Sequence, residues 1–294
     1  MCHNKGFYMP RSSLPLTALS RVVIAIFAAT LLAGCVTNNS HNLSDAARQQ
    51  KAAHNPDAMM RIGTSAETRG DWAAAAVFYG HAMQLRPDNA DYVIAYANAL
   101  MHNGHAEEAI NAIHKAENYS SDHNKIQLTL FLARLLNTAR RSQEAIAALH
   151  PLIEQHPDSA PLRVALGVAY ELSGDSPGAQ QAYLTALKID PHNIAARNNL
   201  ALSEALDGQN ETARKALLAL RTEAVETGAP ASSLATIDGN LAIVYALEGN
   251  LTDARQAAQG AALNSEETRQ NMRFYSFLHA SQGTESASSS VLSD

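Results

Sequence analysis

Apolar residues in the body of the chain recur at helical spacings. From Leu166 to Ala186 the apolar and small residues lie three or four positions apart, and Gly174 interrupts them once. This spacing places side chains on one side of a helix, whereas a strand needs strict alternation, and no alternating run of β-branched residues occurs. The segment therefore predicts two helices joined at Gly174, and Pro191 ends the second because proline cannot continue a helix.

The same helix–turn–helix pattern repeats along the chain. In six places an alanine follows a turn residue by five positions, and successive alanines are 34, 36, 34, 34 and 41 residues apart. Glycine occupies the turn in five copies and Arg140 occupies it in the other. Small residues in both helices let the two backbones approach closely, while an aromatic ring fills the space beside them. The six alanines are Ala75, Ala109, Ala145, Ala179, Ala213 and Ala254.

This period divides the chain into six repeats. The fifth repeat is longer than the others, and its extra residues, 227–233, are expected to form either a loop or an extension of a helix. Prolines that follow the second helix support the division in repeats one, three and four. The predicted repeats are residues 56–89, 90–125, 126–159, 160–193, 194–234 and 235–265.

A period near 34 residues with these small, aromatic and proline positions resembles the tetratricopeptide repeat (TPR) superfamily. The resemblance implies an all-α fold, a TPR α-solenoid of about six helix–turn–helix repeats over residues 56–265. Ser265 is a suitable N-cap for one more helix, so residues 266–281 are predicted to form a C-terminal capping helix over the exposed end of the stack. Residues 282–294 are predicted to be a disordered tail.

The first residues of the chain form a separate segment. Arg21 precedes an apolar stretch of eleven residues, 22–32, which has the length of a signal-peptide core and is too short to span a bilayer. Residues 32–35, Leu-Ala-Gly-Cys, resemble the bacterial lipobox. That resemblance implies cleavage before Cys35 and attachment of a diacylglyceryl group to its thiol. Residues 1–34 are therefore predicted to be a lipoprotein signal peptide.

The sequence after Cys35 predicts a tether and the membrane to which the protein is sorted. Residues 35–55 are mostly polar and lack an apolar period, so we expect a flexible tether between the lipid and the repeats. Val36 stands where an aspartate is associated in enterobacteria with retention in the inner membrane. The lipobox resemblance therefore implies the periplasmic face of the outer membrane. Met9 is an alternative start to Met1, and the rest of the interpretation holds with either start.

Charge and cysteine content limit which partners and which cross-links we expect. The formal net charge is −6 at pH 7, and residues 1–34 contain Lys5, Arg11 and Arg21 but no acidic residue. The remaining chain is therefore more acidic still and would repel a phosphate backbone, so no nucleic-acid partner is predicted. Cys2 and Cys35 are the two cysteines, and removal of the leader leaves no pair for a disulfide.

The sequence contains no evident catalytic constellation, so neither an enzyme nor a cofactor is predicted. His102 and His105 have a spacing that can bind a metal, but a turn glycine separates them, and solvated turn histidines are the favoured interpretation. Glu204 stands where the fifth repeat should carry an apolar residue. It is either a partly buried carboxylate with a raised pKa, or a side chain that reaches solvent or pairs with Arg197 or Arg163.

In the TPR family the first helix of each repeat lines a concave groove, and the resemblance assigns that groove here. Repeats two and three place polar residues in it, whereas the later repeats place an apolar stripe. The stripe either binds an amphipathic partner segment, or packs against neighbouring repeats or the C-terminal helix of the same chain. The predicted groove residues are Asn98, Arg134, Asn137, Val164, Val168, Leu172, Leu202, Leu206, Ile243 and Leu247.

Three segments, residues 198–203, 239–249 and 271–278, together with the lipobox, resemble TadD, the TPR lipoprotein of Tad (tight adherence, Flp-type) pilus assembly. That resemblance implies a pilotin-like role in which the protein escorts or stabilises the outer-membrane secretin. The expected contacts are then another protein and, through the lipid, a membrane. Two alternatives remain open: a type IVa pilus pilotin, or an envelope lipoprotein adaptor that recruits hydrolases or proteases.

Overall fold

Helices joined by short turns make up the described part of the protein. The structure is a computed structural model, and it describes residues 55–261 together with residues 271 and 272. Residues 55–261 form twelve helices and no strand, which confirms the predicted all-α class. The helices are α1 (Pro56–Thr68), α2 (Trp72–Leu85), α3 (Ala90–His102), α4 (Ala106–Glu117), α5 (Asp122–Thr138), α6 (Ser142–Gln155), α7 (Ala160–Ser173), α8 (Ser176–Ile189), α9 (Ile194–Leu206), α10 (Asn210–Glu226), α11 (Ala231–Leu247) and α12 (Leu251–Gly260).

The helices pack as consecutive pairs, from α1 with α2 to α11 with α12, and each pair stacks on the next. Within this stack, the second helix of a pair contacts the first helix of the following pair. The first helices α3, α5, α7, α9 and α11 also contact one another in succession. They therefore form one continuous face, and residues presented on that face can act together.

A tight turn with a left-handed residue joins the two helices of each pair. Five of these residues are glycines with φ between 73° and 89°, and Arg140 takes the equivalent place in the third pair with φ of 60°. Glycine is suited to this conformation because it has no Cβ to clash with the neighbouring carbonyl. The five glycines are Gly70, Gly104, Gly174, Gly208 and Gly249.

Polar side chains fix where many helices begin. Asn55 Oδ1 accepts a hydrogen bond from the amide of Ala58 at 3.2 Å, and Asp175 Oδ1 accepts one from the amide of Gly178 at 3.0 Å. Each such bond satisfies an amide that has no partner inside the helix. Equivalent caps come from Asp71, Asn89, Ser121, Asn193 and Asn250.

Small residues bring the paired helices together, as the repeat pattern predicts. All six alanines of the repeat are completely buried. In the first and fourth pairs the ring of Tyr79 or Tyr183 lies directly against Gly63 or Gly167, so an added Cβ at either glycine would collide with the ring. The aromatic ring thus fills the space that the glycine leaves open, and the two helix backbones can approach closely.

Two repeats begin earlier than the sequence predicts. Helix α5 starts at Asp122, four residues before the predicted start of the third repeat, because Ser121 caps it and adds a turn. Helix α11 starts at Ala231, again four residues early. The long fifth connection is therefore absorbed mainly by helix: α10 and α11 each have 17 residues, and a short turn with Gly228 at φ of 68° joins them.

Several predicted segments lie outside the described residues. They are the leader at 1–34, Cys35 with nearly all of the tether, and the tail at 282–294. Of the predicted capping helix at 266–281, only Asn271 and Met272 are described; both are helical, and Met272 packs against buried alanines of α11 and α12. None of the described helices combines the length and the apolar character needed to cross a bilayer.

Candidate partner-binding groove

The first helices of repeats two to five line a groove, which we call the first-helix groove. It consists of three adjoining depressions of about 390, 530 and 200 Å³, between α3 and α5, between α5 and α7, and between α7 and α9. Arg134 and Thr138 line both the first and the second depression, and Val168 and Leu172 line both the second and the third. These shared side chains make the three depressions one continuous surface.

The centre of the first-helix groove is apolar. Leu130 and Ala133 of α5 line the second depression together with Val168 and Leu172 of α7. Leu172 remains 59% exposed, and Leu206, in the third depression, remains 49% exposed. Clustered apolar side chains with this much exposure in a concave surface are typical of sites that bind another protein.

The end formed by α3 and α5 combines polar side chains with apolar ones from the same two helices. The ring of His102 stacks on that of Trp72, with centroids 3.9 Å apart and an angle of 11° between the planes. The guanidinium carbon of Arg134 lies 4.7 Å from the centre of the Phe131 ring. Asn98 lines the same depression. Aromatic rings therefore support the histidine and the arginine at this end.

The opposite end, between α7 and α9, carries a network of carboxylates and hydroxyls. The two carboxylate oxygens of Glu171 accept hydrogen bonds from Ser203 Oγ at 2.8 Å and from Ser176 Oγ at 3.2 Å. Gln180 Nε2 donates to Asp207 Oδ2 at 2.7 Å and to Ser203 Oγ at 3.4 Å. These bonds hold the ends of α7 and α9 and the start of α8 in a fixed arrangement.

Most of the predicted groove residues lie along this surface. They come from four consecutive first helices, and helical spacing within each helix brings them to the same side. The residues are Asn98, Arg134, Asn137, Val168, Leu172, Leu202 and Leu206.

The remaining three predicted residues lie outside the three depressions: Leu247 is buried, whereas Val164 and Ile243 are partly exposed. Val164 packs against the buried residues at the contact between α7, α8 and α9. Leu247 is only 7% exposed, and Ile243 packs against two buried clusters at once. Helix α11 is apolar around most of its circumference, and its neighbours bury Leu241, Val244 and Leu247.

The sequence interpretation did not identify all of the groove residues. Leu130 and Ala133 lie one helical turn before Arg134 and Asn137, so the helical period alone could have identified them. The contact of Glu171 with Ser203 joins residues 32 positions apart in neighbouring repeats, and no local pattern indicates it. That contact depends on how the two repeats stack.

Glu204 is partly buried, and this burial raises the pKa of its carboxyl above the ordinary value. In the described part of the chain its side chain forms no ion pair. Arg197 pairs instead with Glu223 at 2.6 Å, and Nε of Arg163 is buried without a hydrogen-bond partner there. Of the two expectations for Glu204, the structure therefore favours the partly buried carboxylate.

The histidines of repeat two have other contacts. His102 stacks on Trp72, while His105 and His114 lie within hydrogen-bonding distance of Glu108 and Glu117. Among residues 55–261, 271 and 272, no three histidine, cysteine or acidic side chains are grouped closely enough to hold a metal ion.

A stack of helix–turn–helix pairs with a groove along its first helices defines a repeat scaffold that binds other proteins. The tetratricopeptide repeat family matches residues 68–135, and a second form of the same repeat matches residues 132–194 and 173–229. Together these matches cover more than half of the chain. The chain therefore belongs to the tetratricopeptide repeat superfamily, and its described residues form an all-α TPR solenoid.

One curated relative is a TPR repeat-containing protein of Pseudomonas aeruginosa. It is 29% identical over 103 residues, which are 35% of this chain and 17% of that protein. The chain therefore spans only about a sixth of the length of this relative. The similarity supports the repeat family and does not extend to the rest of that protein.

Similar solved structures include two that are named as TPR proteins. MamA of Desulfovibrio magneticus is 16% identical, with a TM-score of 0.43 over 56% of this chain and 92% of MamA. A tetratricopeptide repeat protein of Parabacteroides merdae is 15% identical, with a TM-score of 0.44 over 75% of this chain and 98% of that one. A thermophilic TPR protein of Thermus thermophilus is also 15% identical, with a TM-score of 0.42 over the same shares. TM-scores this low do not extend the similarity to partners.

Proposed function

We propose that this protein is a lipid-anchored binding scaffold that escorts the secretin of a Tad/Flp pilus at the periplasmic face of the outer membrane. The observation that carries the proposal is the first-helix groove, with Leu172 and Leu206 half-exposed along it. Covering a half-exposed leucine yields about 1 kcal/mol. A helix with an apolar face would cover both leucines, and the groove residues around them, at once.

The proposed client fits this groove in chemical terms. A secretin subunit exposes apolar surface before it multimerises and inserts, and such a surface needs cover during transit. An apolar groove on a TPR solenoid can provide that cover for one of the helices of the secretin. The resemblance of residues 198–203 and 239–249 to TadD supports the same client.

The proposed anchor follows from the lipobox-like sequence that ends at Cys35. One acyl chain binds a membrane only marginally, at about 0.8 kcal/mol per buried CH₂, whereas two or three chains hold a protein durably. A tether over residues 35–55 would then give the repeats reach from the membrane. The scaffold and the lipid together deliver or hold a client, and neither requires catalysis.

Deletion of the gene tests the proposed function. We expect fewer heat-stable multimers of the co-encoded secretin in the outer membrane and a loss of surface pili. Normal amounts of these multimers in the deletion strain would exclude the pilotin role and favour a later role in pilus assembly.

The Cys35→Ser variant tests the anchor separately from the groove. We expect this variant to leave the membrane fraction and the secretin to be mislocalised rather than degraded. If the variant still sediments with membranes after a high-salt wash, attachment does not depend on acylation of Cys35.

A further inference from the structure

The first-helix groove carries opposite charges on two neighbouring first helices, Arg134 on α5 and Glu171 on α7. Arg134 lies at the end between α3 and α5, with its guanidinium over the ring of Phe131 at 4.7 Å. In residues 55–261 no carboxylate lies within ion-pairing distance of Arg134. Arg134 therefore presents a positive charge that stacks on an aromatic ring and forms no ion pair among these residues, and that charge is available to a carboxylate of a partner.

The end between α7 and α9 is negative. Glu171 lines the third depression, and both of its carboxylate oxygens accept hydrogen bonds from serine hydroxyls. Gln180 links this network to the carboxylate of Asp207. Hydroxyl and amide donors stabilise the charged form of a carboxylate without neutralising it. No cation pairs with either carboxylate in the part of the chain that the structure describes.

The negative charge also acts on its surroundings. Burial raises the pKa of Tyr183, which lines the same depression, and the charge of Glu171 raises it further. Tyr183 is buried against Gly167, so the charge of Glu171 borders the packed interior between α7 and α8.

From this distribution we infer that the groove binds an amphipathic helix with its own charges segregated. Its aliphatic face would cover the apolar centre, a basic side chain would lie beside Glu171, and an acidic side chain about two turns away would lie beside Arg134. This inference rests on the proposed function, in which the groove holds a helix of a client protein. Charge complementarity would set the direction of that helix, while the leucines provide most of the affinity.

The dimensions suit a helix of moderate length. Packed helices lie about 9 Å apart, so four consecutive first helices span roughly 27 Å. A helix rises about 1.5 Å per residue, so about 18 residues would cover all four first helices. Arg134 on α5 and Glu171 on α7 belong to neighbouring first helices about 9 Å apart, so charges about two helical turns apart near the middle of such a helix would reach them.

Synthetic helical peptides of 18 residues can test the inference against the full-length protein. All peptides carry the same leucine face. Near its centre, one has lysines followed about two turns later by glutamates, a second has the reverse order, a third has the same charges interleaved, and a fourth has glutamine in place of every charge. Fluorescence anisotropy gives each affinity at low and high salt, and circular dichroism shows that the peptides are equally helical.

We expect one of the two segregated peptides to bind about three- to tenfold more tightly than the interleaved peptide, with the advantage lost at high salt. Glu171→Gln and Arg134→Gln should each reduce this advantage. Glu211→Gln is the matched control, because Glu211 is an exposed carboxylate on α10 that pairs with Lys215 at 2.7 Å outside the groove.

Two results would overturn the inference. They differ in whether they also exclude the proposed function. If the neutral peptide binds and charge order has no effect on affinity, the groove holds a helix but does not select its charges, and the proposed function stands. If no peptide binds, the neutral one included, the groove is not a helix site, and the groove-based proposal fails with the inference.

Discussion

Arg140 occupies a turn position where its side chain is unfavourable for the backbone conformation. It is the one non-glycine residue with positive φ in the described part of the chain, at 60°, in a turn where the other pairs have glycine. A left-handed conformation costs an L-residue about 1–2 kcal/mol, because its Cβ approaches a carbonyl oxygen. Its side chain is exposed and forms no ion pair among residues 55–261 that would offset this cost.

We predict that Arg140→Gly raises the free energy of unfolding by about 1 kcal/mol, since glycine adopts this turn without a clash. Urea denaturation monitored by circular dichroism measures the change. The reciprocal variant Gly174→Arg, at the same turn of the next pair, should lose a similar amount. Equal stability of Arg140→Gly and the wild type would show that the turn is not strained.

A second prediction concerns Glu204 and pH. Because burial raises the pKa of Glu204 in the folded state, the folded protein binds this proton more tightly than the unfolded chain. The resulting stabilisation is complete below the unfolded pKa, about 4.3, and is lost as pH rises through the folded pKa. Glu204→Gln cannot ionise, so its stability relative to the wild type should increase from pH 3 to pH 7.

The control for this pH dependence is Glu211. Lys215 lowers the pKa of Glu211, so its charged form is favoured in the folded protein and the sign reverses. Glu211→Gln should therefore become less stable relative to the wild type as pH rises over the same interval. If Glu204→Gln and Glu211→Gln respond to pH in the same direction, Glu204 is not held in a poorly hydrated environment.

At the scale of a helix pair, the contact between a glycine and an aromatic ring determines how closely two helices approach. In α7, a Cβ at Gly167 would collide with the ring of Tyr183 from α8. In α11, a Cβ at Gly239 would have no atom of another group within 4 Å. The same substitution therefore has opposite expected effects at two glycines that both lie inside helices.

We predict that Gly167→Ala lowers the free energy of unfolding by about 1–2 kcal/mol, because overpacking exceeds the gain in helix propensity. Gly239→Ala should raise it by about 0.5–1 kcal/mol through propensity alone. Thermal unfolding of the two variants against the wild type measures both effects. A stabilised Gly167→Ala would mean that the ring of Tyr183 can move aside, and that close approach is not what the glycine provides.

The helices themselves were largely predictable from sequence, whereas some of their ends were not. The alanine period and the turn residues identify six pairs, because close packing of the helices requires the buried alanines and the left-handed turn favours glycine. The early start of α5 depends on the cap at Ser121, and a fixed period counted backwards misses such a cap. The fifth connection became helix because residues before Gly228 and after Pro230 can extend α10 and α11 without a break.

At the scale of the whole stack, the residues that line the groove could be predicted from sequence only for first helices that lie between two other helix pairs. That condition holds for α5, α7 and α9, and their predicted residues line the groove, apart from Val164. It fails for α11, where Leu247 is buried and Ile243 is partly buried against two core clusters. The pairing of Glu171 with Ser203 likewise depends on the stacking of two repeats, which sequence spacing does not specify.

If the groove holds the client, a variant that blocks the groove should have the same phenotype as deletion of the gene. Leu206 on α9 is 49% exposed inside the first-helix groove, and Leu184 on α8 is 44% exposed outside it. Introducing glutamate at either position places a charge at a similarly hydrated site, so both variants should fold alike. Only the change at Leu206 places that charge on the surface proposed to cover a helix of the client.

The most direct test of the account is therefore the amount of heat-stable secretin multimer in the outer membrane of deletion strains complemented with these two variants. We predict that Leu206→Glu leaves multimer levels as low as in the uncomplemented deletion, while Leu184→Glu restores them to the wild-type amount. Membrane-anchored protein levels and circular-dichroism spectra should be equal for the two variants. Normal multimers with Leu206→Glu would contradict the claim that the first-helix groove holds the secretin.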